Sequence, residues 1–258
     1  MSKRIYHKDL RFQQILEYLD SHKFATIQEL SKICKVSPDT IRRDISWLQT
    51  HESIKQVHGG VISNERNQRN PFFLERVNNQ YEFKKEIGET AATFVKDNET
   101  IFISGGTTTE FMIPHLAERK ELTIITNSMN IVAKLVEYDQ INVLVLGGQL
   151  HHTQYDLIGQ LSEHLLTNLV ASKIFRGIEG IHQKIGFTTN DALFSNIDRK
   201  ILSQMGELII LADHTKFAKA GSTLLVPVKS ASIIITDKLA PSNIVDEIKA
   251  MGVRVIQV

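Results

Sequence analysis

The residues best suited to chemistry lie in the run Ile101-Phe102-Ile103-Ser104-Gly105-Gly106-Thr107-Thr108-Thr109. Strand-forming apolar residues lead into two glycines, which let a backbone approach a ligand closely, and into hydroxyls on Ser104 and three threonines. Glu110-Phe111-Met112 then begins a helix, whose leading amides favour an anion. This is the composition of a phosphate cradle. No Gly-Lys-Ser/Thr follows, so it is not a Walker A loop, and the glycine spacing of a dinucleotide site is absent. In isolation, a Gly-Thr turn that binds nothing would read the same way.

Three more apolar runs end in polar or glycine-rich loops. Leu122–Thr126 enters Asn127-Ser128, Val143–Leu146 enters Gly147-Gly148, and Leu208–Leu211 enters Ala212-Asp213-His214-Thr215-Lys216. Ligands of open α/β sheets sit beyond the carboxyl ends of the strands, so these loops are expected to converge. Lys216 brings a compact positive charge suited to a phosphate or carboxylate; its plainer reading is a surface lysine. An isomerase would need a general base, for which Glu179, Asp191 and Asp213 are the candidates. Among ten histidines only His151-His152 are adjacent, and no ligand spacing with a third donor appears, so no metal and no cofactor are expected.

A second constellation lies near the N-terminus. Ser37 is suited to cap a helix and Pro38 to begin it. That helix, Pro38 to about Thr50, would bury Ile41, Ile45 and Leu48. Its other face carries Asp39, Arg43 and Ser46, flanked by Thr40 and Arg42. An arginine can pair bidentately with guanine in the major groove, and a flanking one more naturally meets phosphate; Arg43 is therefore assigned to bases and Arg42 to the backbone. Two adjacent arginines alone would read as a solvated helix face. Here, however, Phe12, Ile15, Leu16 and Leu19 mark a preceding helix, and Ile27, Leu30 and Ile33 a second, so a helix-turn-helix is expected. Ser53 to Ile62 alternates around Gly59-Gly60 and reads as a β-hairpin wing, with Lys55 and His58 able to touch phosphate or to be surface filler. Trp47 would pack beneath the wing or face DNA. Cys34 lies on the apolar side of the second helix and is read as core.

The elements that position these residues divide the 258-residue chain in two. Residues 1–70 carry twelve Lys+Arg against eight Asp+Glu, and the remainder eighteen against twenty-one, a basic head on an acidic body. The stretch from Ser63 to Pro71 has no large apolar residue and reads as a linker. The expected organisation is a winged helix-turn-helix over 1–62, a linker over 63–75, and an effector-sensing α/β domain with a mostly parallel sheet over 76–258. One cysteine, a polar N-terminus without an apolar signal core and no run of 18 apolar residues lead to the expectation of a cytoplasmic protein away from membranes.

The string Val36-Ser37-Pro38-Asp39-Thr40-Ile41-Arg42-Arg43-Asp44-Ile45, with Val57-His58-Gly59-Gly60 after it, resembles the N-terminal signature of the DeoR family of sugar-metabolism repressors. Gly106-Thr107-Thr108, Thr126-Asn127-Ser128, Leu146-Gly147-Gly148, Gly177-Ile178-Glu179-Gly180 and Ala212 to Phe217 resemble its sensor domain. The resemblance implies an α/β fold shared with ribose-5-phosphate isomerase and CoA-transferase relatives. It implies a regulator of a sugar or sugar-acid catabolic operon, binding double-stranded operator DNA as a homodimer or homotetramer and controlled by a phosphorylated sugar or sugar acid. The DNA-binding set is then Ser37, Asp39, Thr40, Arg42, Arg43, Ser46, Lys55 and His58. The effector set is Ser104, Gly105, Gly106, Thr107, Thr108, Thr109, Asn127, Ser128, Gly148, Glu179, Asp191, Asp213 and Lys216, with phosphate on Gly106–Thr109 and Lys216. The chain departs from the family pattern where Glu52-Ser53 replaces a glycine before the wing, Gln56 a wing arginine, Ser104 and Glu179 two aspartates, and His151-His152 an arginine. Side-chain type at these positions points to an unusual effector or a sugar acid. Two other classes compete: a phosphosugar isomerase, for which a DNA-binding half has no use, and a DNA-binding protein whose α/β half only oligomerises.

Overall fold

Apolar residues three and four apart give the helices of the first unit, and β-branched runs the strands of the second. A computed structural model of the chain describes residues 11–12, 14–19, 22, 24–50, 54–57, 59–63, 76–77, 79–192, 195–204 and 206–258. The chain divides into two compact units, Met1–Asn78 and Asn79–Val258.

In the first unit, helix α1 (residues 11–12 and 14–19) buries Phe12, Ile15 and Leu19. Strand β1 (Phe24–Ala25) precedes α2 (Ile27–Cys34), and α3 spans Pro38–Thr50. Thr26 and Glu29 form a reciprocal capping box at the start of α2, which ends with Lys35 in the left-handed region. Leu30, Ile41, Ile45 and Leu48 join the α1 residues in one core. Arg11 reaches from α1 to Asp44 of α3 through two hydrogen bonds, of 2.6 and 3.1 Å. The Asp44 carboxylate raises the Arg11 pKa above its ordinary value, mainly through that hydrogen bond. Strands β2 (Ile54–Val57) and β3 (Gly60–Ser63) form the wing hairpin, and β1 pairs with the far side of β3. Trp47 stacks on Phe12, ring centroids 4.6 Å apart, so its indole belongs to the α1–α3 packing.

In the second unit α4 (Tyr81–Ala92) leads to β4 (Thr100–Ile103), β5 (Thr123–Thr126), α5 (Met129–Leu135) and β6 (Asn142–Val145). A hairpin of β7 (Gln149–His151) and β8 (Asp156–Ile158) precedes α6 (Gln160–Leu166) and β9 (Lys173–Gly177). Strands β10 (Gly180–His182) and β11 (Gly186–Thr189) follow, then α7 (Ser195–Gln204), β12 (Glu207–Leu211), β13 (Thr223–Val226), β14 (Ile233–Thr236), α8 (Ser242–Ala250) and β15 (Arg254–Gln257). Seven strands form one sheet in the order β15-β14-β12-β9-β4-β5-β6, every neighbouring pair parallel. Side chains alternate between its faces. Ile101, Ile103, Phe175 and Ile209 meet α4 and α5, while Phe102, Ile174, Leu208 and Ile210 meet α7 and α8. Antiparallel β10, β11 and β13 form a separate small sheet.

The chain runs outward from β4 through β5 to β6 and outward from β9 through β12 and β14 to β15. The strand order therefore reverses between β4 and β9, and the crevice beyond their carboxyl ends is the place where such sheets hold ligands. The helix expected from Glu110 is a 3-10 helix, Thr109–Leu116. Pro114 within it has no amide to donate to residue 110, which removes an α-helical hydrogen bond.

Candidate functional site

The loop from Ser104 to Thr109 leaves β4 at this reversal. The Ser104 amide donates to Phe175 of β9, holding the loop's first residue to the neighbouring strand. The next four amides, of Gly105, Gly106, Thr107 and Thr108, donate to no acceptor among the described residues. The hydroxyls of Thr107 and Thr108 also lack a partner among them, although both residues are 6% exposed. Thr109 differs: its hydroxyl donates to the carbonyls of Ser104 and Gly106, at 2.8 Å each, and closes the loop on itself. Consecutive free amides at the start of a helix make a concavity that attracts an anion. Two of the three threonines add free hydroxyls to it.

Gly105 also makes room within the protein. A β-carbon there would lie 2.1 Å from Oδ1 of Asp156, so the residue's smallness admits a carboxylate of the protein itself. Asp156, the first residue of β8, is 1% exposed, and neither of its oxygens has a partner in hydrogen-bonding geometry among the described residues. Burial pushes its pKa up to about 7, against the downward pull of the Arg176 charge and of the Ser128 hydroxyl close by. Arg176 on β9 donates from Nη1 to Ser104 Oγ (2.6 Å) and the Gly105 carbonyl (3.1 Å), and from Nη2 to Asp198 of α7 (2.6 Å). One buried guanidinium thus ties the loop to a strand and a helix.

The remaining expected residues fall into two groups. Asn127 and Ser128, at the end of β5, lie beside Asp156: Ser128 and Asp156 form an antiparallel bridge, and Asn127 Nδ2 donates to Leu157 (3.2 Å). Asn127 Oδ1 and Ser128 Oγ are buried without a hydrogen-bonded partner among the described residues. Lys216, half-buried, has no ion pair or hydrogen-bonded side-chain partner among them either, and β12, whose loop carries it, is two strands from β4. At the usual spacing of neighbouring strands that separation is about 10 Å.

The second group makes contacts within the protein. Glu179 accepts from the Asn190 amide (2.7 Å), Thr189 Oγ1 (3.2 Å) and Gln154 (3.4 Å), fixing the loop after β11. Asp191, in that loop, lies 3.2 Å from His151 of β7. Asp213 caps the short turn His214–Lys216, accepting from the amide and hydroxyl of Thr215. At Gly148 a β-carbon would meet Ser162 Oγ at 2.4 Å and the Ile158 carbonyl at 2.5 Å, so this glycine allows close packing of the protein on itself.

Asp156, Arg176 and Asp198 escaped the sequence reading. For Arg176 a signal existed: Lys173-Ile174-Phe175-Arg176-Gly177 places an arginine inside a strand-like run, where a charge requires a partner. Asp156 in His151-His152-Thr153-Gln154-Tyr155-Asp156 resembles any polar turn residue. Among the described residues no group of His, Cys, Asp and Glu could hold a metal ion, and no helix is long and apolar enough to cross a membrane.

In the first unit α3 presents Ser37, Asp39, Arg42, Arg43 and Ser46 as exposed residues, with Thr40 half-buried. Ser37 Oγ accepts from the Thr40 amide (3.3 Å) and pairs with the Thr40 hydroxyl, so it works as the helix cap. Arg42 pairs with Asp39 on the helix surface at 2.5 Å. Arg43 has no partner among the described residues, and its guanidinium is free. Lys55 of β2 is exposed; His58 lies outside the described residues.

A family model described as the DeoR C terminal sensor domain matches residues 79–238, and one described as a DeoR-like helix-turn-helix domain matches residues 11–67. The HTH-type transcriptional regulator IolR of Bacillus subtilis (strain 168) is 31% identical over 231 residues, 90% of this chain and 92% of its own. The uncharacterized HTH-type transcriptional regulator FruR of the same organism is 31% identical over 227 residues, 88% of this chain and 90% of its own. Among solved structures, ribose 5 phosphate isomerase A from Neisseria gonorrhoeae aligns over 53% of each chain with 18% identity and a TM-score of 0.37.

Proposed function

Because the chain belongs to the DeoR family of helix-turn-helix transcriptional regulators, we propose that its second unit holds the phosphate of a sugar-type effector on the Gly105–Thr108 amides and that occupancy changes the grip of its first unit on operator DNA. The observation that carries this reading is the row of four unclaimed amides at the strand-order reversal. Free hydroxyls on Thr107 and Thr108, and an unpaired Lys216 ammonium in a loop at the same carboxyl end of the parallel strands, support it. Arg43 reads bases in the major groove, with Arg42 and Lys55 on phosphates.

Helix-turn-helix proteins commonly bind as two-fold dimers with half-sites one DNA turn apart. A homodimer or homotetramer on a pseudo-palindromic operator is the assembly proposed here. The effector regulates only if it binds one arrangement of the assembly more tightly than another.

The test is a thermal-shift and operator-binding titration of the full chain with five- and six-carbon sugar phosphates, with inorganic phosphate alongside. At least one sugar phosphate is expected to raise the melting temperature and to alter operator affinity. No shift with any of them removes the reading, and turnover of an aldose phosphate would restore the isomerase.

A further inference from the structure

The seven-stranded sheet has two edges, and their chemistry differs. Strand β15 shows Arg254 and Gln257 to solvent, while its Val255 and Ile256 pack against the core. Strand β6, at the opposite edge, pairs with β5 on one side and with no strand among the described residues on the other. Its Leu144 and Val145 are 46% and 42% exposed. Charged side chains on an edge strand are one of the devices that keep a free edge from pairing. Strand β15 has one and β6 does not, since no side chain from Ile141 to Leu150 is charged.

Apolar surface continues from β6 onto its flanks. Val143 and Val145 share a groove with Val132, Val136 and Tyr138, and with one charged residue, Asp139. Beyond the end of the strand, a β-carbon at Gly147 would lie 3.4 Å from Leu161 and 4.0 Å from Leu165, both exposed on α6. Seven of the twelve exposed large apolar side chains described in the second unit fall between Met129 and Leu165. Single apolar residues scattered over a surface need no explanation, whereas a contiguous patch marks an interaction site.

Two features select the occupant. The outward amides and carbonyls of an edge strand complement another strand, and under a two-fold axis they complement their own copy run antiparallel. A charge near such an axis meets itself, so the contact favours an uncharged centre, and the stretch from Ile141 to Leu150 supplies one. We propose that β6 pairs antiparallel with β6 of a second copy of the chain, flanked by Val136, Leu161 and Leu165, so that the two sheets become one. This is the surface on which the two-fold dimer proposed for operator binding closes, and the inference rests on that dimer.

The test measures the mass of the full chain by light scattering during gel filtration. The wild-type chain is expected as a dimer or tetramer. Leu144→Lys and Leu144→Glu each set like charges against one another and are expected to halve that mass, with the circular dichroism spectrum unchanged. Mixing the two variants is expected to restore it, because unlike charges then meet across the contact. Folded Leu144 variants that keep the wild-type mass, or that separate and do not recombine, overturn the proposal while leaving a dimer on another surface. Should the strand variants misfold, Val136→Glu, which buries a carboxylate in the contact, is expected to raise the dissociation constant of the assembly about tenfold or more. An unchanged constant overturns the proposal. A monomeric wild-type chain overturns it together with the dimer and leaves the strip to a different protein.

Discussion

Arg176 and Asp198 meet through a 2.6 Å hydrogen bond between Nη2 and Oδ2, with the two side chains 8% and 2% exposed. The same guanidinium holds Ser104 Oγ and the Gly105 carbonyl, so the ion pair joins α7 to the cradle through β9. Removing one partner strands the other charge in the interior, a loss of about 3–5 kcal/mol. Arg176→Met is expected to lower the unfolding free energy of the second unit by that order, read as a fall in its urea midpoint. Arg176→Met with Asp198→Leu is expected to recover most of the loss, because no charge is then left buried. A single substitution that leaves the midpoint unmoved would mean that the pair contributes nothing.

Asp156 makes stability depend on pH. Its folded-state pKa, about 7 against an ordinary 3.8, is raised by burial, so folding favours the protonated carboxyl. The contribution is therefore fully present below about pH 4, declines as pH rises, and is gone above about pH 7. The upper bound on that decline is roughly 4 kcal/mol. Burial raises the Asp198 pKa in the same direction, so the diagnostic quantity is a difference. Between pH 5 and pH 8 the wild-type second unit should lose more stability than Asp156→Asn. Parallel pH profiles for the two proteins would rule out a titrating Asp156.

Arg43→Ala should lower operator affinity and relax specificity at one base position by about 1–3 kcal/mol, read by footprinting and competition. Arg42→Ala should weaken binding to all sequences alike and reduce the salt dependence by about one phosphate contact. An operator affinity that does not change with salt would argue against phosphate contacts altogether.

Thr107→Ala combined with Lys216→Ala should abolish the effector response while operator binding in its absence stays within about twofold. Thr109→Ala is predicted to behave differently. Its hydroxyl bonds two carbonyls of the protein, so its loss should lower the melting temperature. Equal effects of the two changes on response and stability would dissolve the distinction between binding and structural threonines.

Local signals carried most of the sequence reading. Ser37 caps α3, Pro38 begins it, and Ile41, Ile45 and Leu48 are buried, because capping and helical spacing are settled within a turn or two. The β4 run and its Gly-Thr loop were equally visible. What stayed hidden depends on pairing between distant parts of the chain. Gly105 reads as room for a ligand until Asp156, a residue from another hairpin, is found filling that room. Asp213 and Glu179 read as carboxylates without internal partners until Thr215 and Asn190 are seen to donate to them. Strand β1 has only two residues, too few for alternation to register, and Trp47 found its partner in Phe12 of another helix.

The order of strands also governs how the protein comes into being. The central pairing joins Ile101 to Lys173, so the sheet cannot close until the ribosome has delivered β9 and, with it, Arg176. Parallel sheets knit from remote segments assemble slowly, whereas the N-terminal unit draws on contacts between neighbours in the chain. During synthesis a finished operator-reading module is then expected to exist before its sensor does, and a nascent regulator to meet DNA first in a form blind to any metabolite.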